Sequence, residues 1–120
     1  MIKSKIMSLI KNVSAEEIKK YKLDLSREPK FYHGKGCDDC NGTGLKGRIA
    51  IYEVVPLTES IKAIIIEKNA SERLIEEERD KMNILTIQQD GILKILMGIT
   101  TIEEVERVTE GNITLEEEYV

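Results

Sequence analysis

Aromatic residues are scarce here: there is no tryptophan, one phenylalanine, and only 4% aromatics among 120 residues. A core without them must be packed mostly from isoleucine, leucine and valine. Nor does any apolar run approach the roughly 18 residues a membrane-crossing helix needs. The opening Met1-Ile2-Lys3-Ser4-Lys5-Ile6-Met7 has neither the apolar stretch nor the small-residue cleavage site of a signal peptide, so a cytoplasmic location is expected. Positive charge is not in excess either, since the net charge is −4. A general nucleic-acid binder carries a basic footprint, so no nucleic-acid partner is expected. The chain contains no Gly-x-x-x-x-Gly-Lys-Ser/Thr run. It therefore has no phosphate loop, nothing else in it is suited to hold Mg²⁺ and a γ-phosphate, and no ATP binding or hydrolysis is expected of it alone. Cysteine is limited to Cys37 and Cys40. Three residues apart, they are too close to staple a fold, and in a reducing compartment they read first as metal-binding or redox-active.

What is present is mostly helical punctuation. Ile6, Leu9 and Ile10 have helical spacing. Ser14 with Glu17 forms a capping-box pattern ahead of a short helix to about Tyr21. Thr58 or Glu59 opens a helix bearing Ile61, Ile64 and Ile65, and Ser71 caps another running to Lys81. Thr86 with Gln89 repeats the capping box, followed by Ile92, Leu93, Leu96 and Met97, with Gly98 as the stop. Thr100 or Thr101 caps a last helix with Ile102, Val105 and Val108. The last two helices are expected to pack on each other and on the 58–81 pair through Leu93, Leu96, Val105 and Val108. Between these helical stretches, Arg48-Ile-Ala-Ile-Tyr-Glu-Val-Val55 is β-branched and ends before Pro56, which predicts a strand. The expected fold class is α+β: a small CxxC-containing knuckle with a short strand, followed by a mostly helical C-terminal lobe. The divisions are 1–30, a helical lead-in; 31–57, knuckle and strand; 58–110, helical lobe; and 111–120, an acidic tail.

The unusual segment is Gly36-Cys37-Asp38-Asp39-Cys40-Asn41-Gly42-Thr43-Gly44-Leu45-Lys46-Gly47-Arg48. Such glycine density predicts tight turns at positive φ. CxxC lets two thiolates face one metal from a turn, yet a structural zinc takes four ligands, so Cys37 and Cys40 make half a site. His33, four residues before Cys37, is a candidate third ligand or a surface loop histidine. Three readings of the motif stand: a zinc or degenerate zinc knuckle, an inert turn, or a redox pair. The last suits it least, because Asn-Gly-Thr-Gly does not open a helix and Asp38 and Asp39 oppose a thiolate nucleophile. Phe31 and Tyr32 read as core anchors beneath the knuckle. Arg48 and Arg107 are either solubilising surface charges or partners for acidic groups on a neighbouring subunit.

Cys-x-x-Cys-Asn-Gly-Thr-Gly-x-x-Gly-Arg followed by Ile-x-Ile-Tyr-Glu-Val resembles the C-terminal region of the type II secretion and type IV pilus-assembly ATPases, the GspE/PilB family. Thr86-Ile87-x-x-Asp90-Gly91-x-x-Lys94 is similar to that family's Asp-Gly helix. Gly98-Ile-Thr-Thr-Ile-Glu-Glu-Val-x-Arg107-Val-Thr109 is similar to its closing signature. The three motifs span 31–110. The resemblance implies a subdomain following the RecA-like core of a hexameric traffic ATPase, with ATP and Mg²⁺ belonging to the parent chain alone. The implied partners are neighbouring subunits and inner-membrane pilus or secretion platform proteins, which would hold the chain at the inner face of the membrane. Many members hold zinc with two CxxC pairs. The upstream pair would fall near Ser4 and Met7, which are not cysteines, so zinc is implied only as an incomplete site. Gln88 departs again, standing where relatives often carry Arg. Cys-x-x-Cys-x-Gly-x-Gly is also the repeat of DnaJ-type zinc chaperone modules, which carry it four times; here it occurs once. A chaperone-type zinc module and a small CxxC redox protein are the alternatives.

Overall fold

The computed structural model describes residues 2–67 and 71–109; the acidic tail lies outside them. Among the described residues six helices are formed: α1 (Ile2–Leu9), α2 (Ala15–Lys20), α3 (Glu59–Ile66), α4 (Glu72–Lys81), α5 (Ile87–Leu96) and α6 (Ile102–Thr109). Their starts follow the hydroxyl residues. Ser14, Thr58, Ser71 and Thr86 each accept a backbone N–H from three residues on, removing one orphan donor per helix at a gain of about 1 kcal/mol. Thr101 does the same for Glu104 N at 3.3 Å. At α5 the box closes both ways, Gln89 N to Thr86 Oγ1 at 3.1 Å and Thr86 N to Gln89 Oε1 at 3.0 Å. At α2 only the serine half forms, because Glu17 Oε1 is held by Lys20 Nζ at 2.7 Å. Gly98, at φ 77°, ends α5, and Ile99 N closes back on Lys94 O at 3.1 Å.

The expected packing of α5 on α6 forms, but the core differs in what this pair meets. Its fully buried members are Ile6 and Ile10 from the α1 region, Ile92, Leu93 and Ile95 from α5, and Val105 from α6. Leu9, Val13, Ile18, Tyr21, Phe31, Leu85 and Leu96 close around them. The apolar stripe of α5 and α6 thus meets α1, not the 58–81 pair, whose α3 and α4 pack against each other. Val108 turns outward and is 51% exposed. A stripe shows that a face is buried without naming its partner. Gln89 locks this choice by donating to Leu9 O at 3.0 Å and Asn12 Oδ1 at 2.8 Å.

The second correction concerns the strand. No strand forms among the described residues. Residues 51–55 nevertheless alternate, with Ile51, Glu53 and Val55 half-buried and Tyr52 and Val54 exposed, which is the period of a β-segment. The β half of the expected class is therefore a segment with no partner to form a ladder. The helical lobe stands.

Candidate functional site: the cysteine knuckle and the helix behind it

The knuckle is a chain of turns. Gly42 N donates to Cys37 O at 2.9 Å and Thr43 N to Cys40 O at 3.2 Å. Asn41 and Gly42 adopt φ 54° and 78° to make the bend. Two strands of loop then cross closely: a Cβ on Gly44 would lie 2.7 Å from Gly34 O, so no side chain fits there.

This folding brings Cys37 Sγ to 3.4 Å from Cys40 Sγ. Cys37 is exposed and Cys40 half-buried, and both are free thiols. The Cys40 sulfur receives N–H donation from Cys37 at 3.1 Å and Gly44 at 3.2 Å. Donation from Gly44, then the Cys37 side chain, draws the Cys40 pKa down to about 7. His33 lies exposed, its Nδ1 at 3.4 Å from Gly34 O. Among the described residues no group of three or more His, Cys, Asp and Glu side chains is placed to hold an ion, so His33 does not join the cysteines. Phe31 packs on the core, whereas Tyr32 is 55% exposed and lies along Gly98. Arg48 is exposed, and Arg107 pairs with Glu104 of its own helix at 2.8 Å.

The segment leaving the knuckle is clamped by α5. Asp90, 2% exposed, accepts from the Tyr21 hydroxyl, from Tyr52 N at 2.8 Å and from Lys94 Nζ at 2.7 Å. Lys94 Nζ also donates to Ala50 O at 2.7 Å and lies 5.0 Å from the Tyr52 ring centroid. One residue on, Glu53 accepts Arg79 Nη1 of α4 at 2.8 Å and the first N–H of α5, Ile87 N, at 3.0 Å. An open cleft of about 500 Å³ runs beside Tyr21, Tyr52, Asp90 and Lys94, but the Tyr21 hydroxyl, the Asp90 carboxylate and the Lys94 ammonium are spent on one another and on the backbone at Ala50 and Tyr52. The Asp90 cluster was not legible as a network. The available signal was the Asp–Lys pair four apart on one helix, which carries no information about Tyr21 or Tyr52.

The comparisons agree with the motifs. The family model described as "Type II/IV secretion system protein" matches residues 2–107, and the chain belongs to that family. The type IV pilus assembly ATPase PilB of Thermus thermophilus is 44% identical over 77 residues, 63% of this chain and 8% of that protein. PilB of Pseudomonas aeruginosa is 43% identical over 81 residues, covering 68% and 14%. Type II secretion system protein E of Dickeya dadantii is 38% identical over 80 residues, covering 67% and 16%. The chain thus spans less than a fifth of the length of these relatives. No solved structure matches. The chaperone and redox alternatives gain no support from these matches. No helix among the described residues is long and apolar enough to cross a membrane.

Proposed function

We infer that this chain is the C-terminal structural and docking unit of a type IV pilus-assembly or type II secretion motor, working outside the part that binds nucleotide. ATP hydrolysis, a hexameric ring, and contacts with an inner-membrane platform from the cytoplasmic side belong, in this reading, to the assembled motor. The observation that carries the reading, beyond family membership, is the unpaired segment after the knuckle. Ile49, Tyr52, Val54 and Leu57 are between 49% and 73% exposed, so a β-type segment is apolar on both faces. Strands of that kind belong in sheets covered on both sides. Among the described residues only Ala50 O and Tyr52 N of the 49–55 backbone are paired, both with α5 side chains. Both point to one edge, which leaves the edge formed by Ile51, Glu53 and Val55 open to another strand. Pairing with a second copy makes only a two-stranded ribbon, marginal in water, and leaves Tyr52 and Val54 uncovered. The sheet edge of a larger motor domain satisfies both needs.

The test is a photo-crosslinking amino acid placed at Tyr52 in the chain expressed in its own host, with adducts identified by mass spectrometry. The expected adduct is a family protein carrying the phosphate-loop domain. Adducts only with itself, only with unrelated proteins, or none at all, refute the docking reading.

A further inference from the structure

The hairpin of α3 and α4 ends in a surface that its own packing leaves uncovered. Its two helices pack chiefly on each other, and Ile61, though buried, stands outside the main core cluster. At the C-terminal end of α4, Arg79 ties the hairpin to Glu53 at 2.8 Å. The other end, where α3 stops and α4 starts, lies about 10 Å along the axis, at a rise of about 1.5 Å per residue from Arg79 to Glu72. Into that end α3 carries three consecutive isoleucines, Ile64, Ile65 and Ile66. At about 100° per residue they cannot share one face. Ile64 is half-buried, whereas Ile65 is 51% and Ile66 80% exposed. A helix turn that is apolar around most of its circumference calls for cover on more than one side.

The charges at this end state the chemistry of the cover. Glu59, Glu77 and Glu78 each have a cation on their own helix, Lys62, Arg73 and Lys81. Glu67, Glu72 and Glu76 are exposed, and among the described residues no cation pairs with them. Glu67 is the C-cap of α3, where the helix dipole is negative and a carboxylate is disfavoured. Glu72 and Glu76 stand four apart on α4, a like-charge spacing that weakens a helix. Among the described residues no group of three metal-ligating side chains is placed to hold an ion, so a metal is not what answers them. Both costs are relieved when an outside cation approaches, and a local rule broken without internal gain marks a functional surface. We propose that the tip of this hairpin docks a basic amphipathic helix of a protein partner. The partner's apolar stripe covers Ile65 and Ile66, and its lysines or arginines answer Glu67, Glu72 and Glu76. An anionic lipid surface or a nucleic acid is repelled by the same carboxylates. The proposal does not rest on the motor reading, and its surface is separate from Tyr52.

The full 120-residue chain is titrated into a labelled synthetic helix with leucines along one face and lysines along its flanks, and binding is read by fluorescence anisotropy at low and high salt. The same helix with glutamates in place of the lysines is the control, and it should bind at least roughly tenfold more weakly. Ile66→Ser, checked for folding by circular dichroism, should weaken the lysine helix by roughly tenfold. Ile99→Ser, at a similarly exposed isoleucine elsewhere, should leave binding unchanged. Joint replacement of Glu67, Glu72 and Glu76 by glutamine should flatten the salt dependence. In the chain's own host, a photo-crosslinking amino acid at Ile66 should join a partner at a segment that alternates apolar and basic residues at helical spacing. Absent binding of the lysine helix, equal binding of the glutamate helix, full affinity in Ile66→Ser, or a crosslink from Ile66 only to lipid, to a segment without basic residues or to nothing each overturns the proposal. The crosslinks at Ile66 and Tyr52 are scored separately, so either reading can fail alone.

Discussion

Replacing Asp90 by alanine puts the clamp between the knuckle segment and α5 to a quantitative test. The carboxylate is 2% exposed and accepts from three donors. Its charged partner Lys94 is only 12% exposed at the side chain. In Asp90→Ala the ammonium keeps Ala50 O and the face of Tyr52, but its counter-charge is gone. Removing one partner of a buried ion pair costs about 3 to 5 kcal/mol, most of it the penalty of stranding the other charge. Total stability for a domain is about 5 to 15 kcal/mol, so the variant sits near the edge of folding. At roughly 4 °C per kcal/mol for a chain of this length, the unfolding midpoint should fall by about 12 to 20 °C.

The assay is thermal unfolding followed by far-ultraviolet circular dichroism at pH 7, on Asp90→Ala, Lys94→Met and the double variant. If the stranded charge is the main cost, the double variant is more stable than the sum of the single losses predicts, by about 1 to 3 kcal/mol. A loss under 1 kcal/mol for Asp90→Ala, or strict additivity in the double variant, refutes the buried-pair account.

Gly91→Ala sets two effects against each other. Alanine normally improves a helix interior by about 0.5 to 1 kcal/mol, but a Cβ here would meet Val105 Cγ1 at 2.6 Å. Overpacking costs about 1 to 3 kcal/mol, so urea titration should show a net loss, and a gain in stability would show that α6 yields at this contact. Tyr21 provides the pH test. Burial, then its hydrogen bond to Asp90, raises its pKa above the usual 10. A folded pKa above the unfolded one means that the stabilisation is complete below pH 10 and is lost as pH rises through that value toward the folded pKa. The advantage of the native protein over Tyr21→Phe should therefore narrow between pH 10 and 11, and an unchanged advantage across pH 9 to 11 refutes it.

The helical lobe is legible from sequence because its signals are local: Thr58, Ser71, Thr86 and Thr101 cap helices through atoms three residues away. The strand and the core pairing are not, because both depend on distant partners. Arg48–Val55 has a β composition, but a ladder needs a second such run, and α5 side chains take up two of its backbone groups instead. The periodicity of α5 and α6 marks a buried face, while the identity of the covering helix, α1, is settled by Gln89 reaching Leu9 and Asn12. The Asp90-Gly91-x-x-Lys94 motif divides into separate tasks. Asp90 and Lys94 grip the backbone at Tyr52 and Ala50, and Gly91 lets Val105 of α6 approach. Ile92, Leu93 and Ile95 on the same helix face the core. The segment leaving the knuckle is therefore tied to α5 through Asp90 and Lys94 and through Glu53 at Ile87 N, with Arg79 as a side branch to α4, while Phe31 on the other side of the knuckle packs on the core directly. If docking at Tyr52 and Val54 loads this segment, α5 is the element that receives it first, and Asp90→Ala should weaken that link without severing it, because Lys94 to Ala50 O and Ile87 N to Glu53 remain.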